Sequence, residues 1–108
     1  MSHSINPDEF DHCLRLVYAG QFFAAHEAFE EIWIQAGRPR DTFQALTQLA
    51  VALEHQRRGN RDGARRVYRK ALAKLEPLPA ELQNFSQAIK RYREFAARQL
   101  ESEVGETC

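Results

Sequence analysis

Apolar residues recur along this chain at spacings of three and four, a rhythm that predicts helices. Nowhere do β-branched residues cluster with a period of two, so no strand competes. The first stripe is Phe10, Cys13, Leu14, Val17 and Tyr18. Asn6 is placed to cap it, Pro7 takes the first helical position and Glu9 the capping-box position, and Gly20 stops it. A second helix is expected over 21–36, ended by a Gly37-Arg38-Pro39 turn, and a third over 41–58, closed by Gly59-Asn60. Ala64, Val67, Tyr68, Ala71, Leu72 and Leu75 form one face of a fourth, broken by Glu76-Pro77-Leu78-Pro79. Leu82, Phe85, Ile89, Tyr92, Ala96 and Leu100 mark a fifth. The fold class predicted is all-α: about five helices in antiparallel hairpins, forming a compact bundle. One domain spans 6–101, with a disordered start at 1–5 and a frayed polar tail at 102–108.

A weak internal repeat underlies the pattern. Gly20, Ala25, Phe29 and Trp33 match Gly59, Ala64, Tyr68 and Leu72, each pair 39 positions apart. In both copies a helix ends at glycine, and the next presents a small residue, an aromatic and a large apolar residue. The second copy, with Lys70-Ala71-Leu72 and Pro77, has weak tetratricopeptide-like character. Small residues let antiparallel helices approach closely, and the aromatic fills the space beyond.

Composition narrows the function classes. At 108 residues there is room for one core, and 44% hydrophobic with 28% charged residues is an ordinary globular balance. Fifteen acids and fifteen bases cancel, so no net field favours nucleic acid or membrane. Charge is nonetheless segregated: six acids face one base from Asp8 to Glu31, and eight bases face one acid from Arg57 to Lys74. That asymmetry suits packing of the acidic half against the basic half, or self-association into a homo-oligomer, although charged helix faces are most often simply solvated. Cys13 falls in an apolar stripe and Cys108 ends a polar tail, so no disulfide framework is expected. No stretch reaches the roughly 18 apolar residues that span a bilayer. The start lacks the regions of a signal peptide, so the expected compartment is the cytoplasm.

The chemically unusual feature lies on helix two. At about 100° per residue, Phe22, Phe29 and Trp33 share one line; His26 falls on the same arc and Glu30 follows it between Trp33 and Phe23, so both are expected to face the interior side. Glu27, Glu31 and Gln35 point away. A carboxylate drawn inward needs a donor, and His26, one turn back, is within reach. On helix three the main apolar arc is Phe43, Leu46, Leu49, Ala50 and Leu53, and on another side Gln44, Gln48, Val51 and His55 form a stripe. Packing of helices two and three could bring part of that stripe to His26 and Glu30.

The run Gly20-Gln21-Phe22-Phe23-Ala24-Ala25-His26-Glu27-Ala28-Phe29-Glu30-Glu31-Ile32-Trp33 resembles the HxxxExxW signature of domain-of-unknown-function family 309, found in bacteria and archaea. Gln44-Ala45-Leu46-Thr47-Gln48-Leu49-Ala50 is similar to its next motif, and His55 through Arg57-Arg58-Gly59-Asn60 and Gly63-Ala64 to its third. The resemblance spans roughly Val17 to Leu75. It implies an all-α fold and a shared polar cluster at His26, Glu30, Trp33, Gln48 and His55. It implies no activity, and members often carry Glu where this chain has Ala24.

Three readings of the cluster stand side by side. His26 and Glu30 form a structural pair that sets how two helices dock. Alternatively, His26, Glu30, Trp33, Gln44, Gln48 and His55 line a pocket for a small polar ligand. Two imidazoles and a carboxylate could also ligate a divalent metal, with His26 as general base in a hydrolase-like site. No metal or cofactor is assigned on this basis. Alternatively again, the hairpins form an interaction module, with Arg61, Arg65, Arg66 and Arg69 meeting an acidic peptide. Nucleophilic catalysis has no nucleophile elbow or phosphate loop behind it.

Overall fold

Asn6 caps the first helix: its side-chain oxygen accepts a hydrogen bond from the Asp8 N–H at 2.8 Å, and Pro7 follows as the first helical residue. The computed structural model describes the backbone of residues 6–36, 40–75 and 78–106. The expectation of disorder at 1–5, the Gly37-Arg38-Pro39 turn and Cys108 lie outside the described residues. Among those described, the elements are α1 (Pro7–Tyr18), α2 (Phe22–Ala36), α3 (Arg40–Arg57), α4 (Arg61–Leu75), a 3-10 helix (Ala80–Phe85) and α5 (Ser86–Glu106). The fold is an all-α bundle. The fifth apolar stripe divides at Ser86: its first six residues, Ala80–Phe85 after Pro79, wind as 3-10 before the chain continues as α. α5 then runs through most of the stretch read as a frayed tail. None of the helices among the described residues is long and apolar enough to cross a membrane.

The two glycines of the repeat end their helices in the same way. Gly20 has φ of 81° and Gly59 of 88°. Gly20 N–H donates to the Val17 carbonyl and Gln21 N–H to that of Leu16. One repeat later, Gly59 N–H donates to Gln56 and Asn60 N–H to His55. Both are Schellman closures, in which a left-handed residue satisfies the last carbonyls. Arg57 then joins the two ends, its guanidinium donating to the Gly20 carbonyl at 3.1 Å. Asn60 starts α4 by accepting from the Gly63 N–H at 3.0 Å. A Cβ on Gly63 would meet the Asn60 side chain at 2.5 Å, so Asn60 in its capping position leaves no room for a larger residue there.

α3 is the central helix, packed against α2, α4 and α5. Phe43, Leu46, Leu49, Ala50 and Leu53 bury its main arc, and Ala45 and Ala52 are fully buried on another side. Ala64 and Ala71 are fully buried on α4, the short side chains a closely approaching hairpin requires. Phe85, Phe10, Phe29 and Tyr92 form a chain of ring contacts through the interior. Tyr92 lies parallel to Phe29, with centroids 5.4 Å apart and a 5° interplanar angle. Its hydroxyl donates to the Leu46 carbonyl at 2.7 Å, and burial holds it protonated well above the usual phenol range. One side chain thus ties α5 to α2 and α3.

Cys13 is buried in this core. Burial, with lesser contributions from Glu9 and Glu31, pushes its thiol from 9.0 up to about 12. Across that interval the native state keeps a proton the unfolded chain has released, so stability falls as pH rises from about 9 toward 12. Cys13→Ala should flatten that alkaline loss in denaturant titrations. In a Cys108→Ser background, a thiol reagent should label Cys13 only on unfolding. Rapid labelling of the native protein would contradict this placement.

Candidate functional site

The helix-two pair stands at the margin between core and solvent. Ala25, Phe29 and Ile32 are buried along one side of α2, and Phe22 and Trp33 pack against them partly exposed. About a quarter turn round the helix come His26 and Glu30, whose side chains keep 28% and 45% of their surface. His26 Nε2 and Glu30 Oε2 lie 3.8 Å apart, too long for a hydrogen bond and an ion pair only when the imidazole carries a second proton. At that exposure water satisfies the Glu30 carboxylate, and the donor expected for a buried acid is not required. An exposed i,i+4 pair of this kind contributes about 0.3–0.5 kcal/mol at most.

The outer flank of α2 completes the picture. Phe23 is 54% exposed, and its ring meets the His26 imidazole edge-on at 5.9 Å. Ile34 is 73% exposed and lies three turns along the same line. Glu27 and Glu30 fall between them on that flank, one exposed and one half-exposed. Phe23 and Ile34 were not singled out from the sequence. Their spacing of eleven, in register with Glu27 and Glu30, is the signal that could have marked them.

Part of the helix-three stripe has partners on α4. Gln44 accepts a hydrogen bond from the Lys74 ammonium at 2.8 Å. His55 Nδ1 lies 3.3 Å from the Asn60 side-chain nitrogen; an amide nitrogen can only donate, so Nδ1 accepts there and the ring steadies the α4 cap. Gln48 is half-buried, and its side-chain carbonyl oxygen is buried without a hydrogen-bond partner among the described residues. Glu54 leaves one carboxylate oxygen buried in the same way, while the other pairs with Arg58 at 2.8 Å. Among the described residues no three His, Cys, Asp or Glu side chains gather to hold a metal ion, and His26, Glu30 and His55 form no such set.

Surface grooves lie elsewhere among the described residues. One of about 280 Å³ lies between α1 and α2, with Asp8, Glu9, His12 and Glu31 around Cys13, Ala28 and Ile32. Another, of about 480 Å³, lies between α4 and α5. Tyr68, Leu72 and Ala97 form its apolar surface, and Lys90, Arg93 and Glu94 complete its lining.

Fold and site together define a small helical bundle with a half-exposed polar pair set in an exposed apolar flank. The chain belongs to a family described as a domain of unknown function (DUF309), whose model matches residues 10–67. That stretch contains α2 and α3, and with them His26, Glu30, Trp33, Gln48 and His55. No curated protein and no solved structure matches the chain.

Proposed function

We propose that this protein is an interaction module that docks a basic, amphipathic segment of a partner along the outer flank of α2. The observation that carries this reading is the exposure of Phe23 and Ile34 on one line, with Glu27 and Glu30 between them. A lone exposed apolar residue needs no explanation, but aligned ones flanked by like charge have the pattern of a recognition surface. The acids select basic partners and set orientation, while the apolar side chains supply the burial. His26, in ring contact with Phe23, fixes the near end of the surface.

The lone tryptophan, Trp33, is half-buried on the same helix and serves as reporter. Titration with a synthetic helical peptide carrying leucines on one face and lysines at its edges should saturate the Trp33 fluorescence change. A peptide of scrambled order should bind at least about tenfold more weakly, a difference of about 1.4 kcal/mol. Equal binding of the two peptides would end this reading.

A second reading, a small polar ligand held between α2 and α3 by His26, Glu30 and Gln48, is supported by the unpartnered Gln48 carbonyl. If that oxygen is reserved for a ligand, Gln48→Leu should stabilise the ligand-free protein by about 1 kcal/mol in a denaturant melt. A loss of stability would show that Gln48 serves the fold instead.

A further inference from the structure

The geometry points to a second copy of this chain as a partner of the α2 flank, with the α4–α5 groove as its seat; this inference rests on the interaction reading above. The groove has an apolar surface, with Lys90 and Arg93 in its lining. At about 100° per residue, Arg61, Arg65 and Arg69 fall on the same side of α4 as Tyr68 and Leu72, and all three are exposed. The charge around the groove is therefore positive in sum: Lys90 and Arg93 against Glu94 in the lining, and three arginines with Asp62 on the adjoining side of α4. An occupant of matching chemistry is a helix with apolar residues in a line and acids between them.

The chain itself contains that helix. Phe23, Glu27, Glu30 and Ile34 follow one another at intervals of four, three and four, the spacing at which an amphipathic helix lays its anchors into a groove. Phe23 and Ile34 remain exposed, so the flank is not covered by the groove of its own chain. The acidic and basic halves of the sequence, neutral in sum, thereby become the two sides of one contact. Two copies docking reciprocally close a dimer, and copies docking in one direction only build open chains.

Sedimentation equilibrium of the full chain at low and high salt tests this. The wild type should associate in a concentration-dependent way and return toward the monomer as salt rises. Glu27→Arg with Glu30→Arg, and separately Arg65→Glu with Lys90→Glu, should each weaken association at least about tenfold. Mixing the two variants should restore a 1:1 complex, because one contact then has the natural pairing and the other has its signs exchanged. Helix content by circular dichroism shows that each variant folds. Where one does not, Phe23→Ser, which changes no charge, is expected to give the same loss of association. A wild type that stays monomeric overturns the inference, as does association that ignores these substitutions or a mixture that fails to assemble. The Trp33 peptide titration on the same sample separates the two readings: a monomer that binds the patterned peptide keeps the α2 surface and loses only the second copy.

Discussion

Tyr92→Ala is expected to destabilise the fold by about 3–5 kcal/mol, among the largest effects of any single truncation in this chain. The ring is fully buried and parallel to Phe29. Removing it leaves a cavity where α5 meets α2 and α3, and it strands no polar group, because the Leu46 carbonyl lies within a helix. Tyr92→Phe separates the two contributions: it keeps the ring and loses only the 2.7 Å hydrogen bond to Leu46, for about 1 kcal/mol. Denaturant midpoints at constant m-value measure both. With total stabilities of about 5–15 kcal/mol, the alanine variant should be marginal at ambient temperature. Equal costs for the two substitutions would mean that the hydrogen bond, and not the stack, anchors α5.

The second large effect comes from enlarging a small residue. Ala64 is fully buried at the start of α4, against a central helix that itself buries Ala45 and Ala52. Ala64→Leu should cost about 1–3 kcal/mol, since the hairpin must open or distort to admit the side chain. Ala73→Leu, on the exposed side of the same helix, should change stability by less than about 0.5 kcal/mol. A tolerated leucine at position 64 would show that close approach of α3 and α4 is not what the repeat encodes.

The architecture was legible because its determinants are local. Asn6 and Pro7 announce the start of α1, and Phe10, Cys13, Leu14 and Val17 of its stripe are buried as their spacing implies, while Tyr18, the last member, stays 47% exposed. Gly20 and Gly59 are needed wherever the chain must turn left-handed, and both do so. The Tyr92 hydroxyl was not legible, since its partner lies 46 positions away in α3. Nothing in the periodicity of α5 distinguishes a buried tyrosine with a hydrogen bond from one without.

The candidate site was legible in outline only. The helical wheel turns His26 and Glu30 toward the interior side, but how deep such a residue sits depends on how the neighbouring helices cross. Here Glu30 keeps 45% of its side-chain surface. The Gln44 and His55 stripe is visible in sequence, yet the wheel alone cannot say which helix it meets; both find partners on α4, in Lys74 and Asn60. Phe23 falls in an otherwise unremarked aromatic pair with Phe22, and only its exposure separates the two. One ring packs on the core and the other stands outside.

The most direct measurement compares stability and binding in Phe23→Ser with Ile34→Ser. Placed on the outer flank, both side chains can leave without disturbing the interior. The double variant should therefore melt within about 0.5 kcal/mol of the parent, while its affinity for the patterned basic peptide falls at least about tenfold. Loss of stability with unchanged affinity would contradict the account, because those residues would then serve the fold and not a partner.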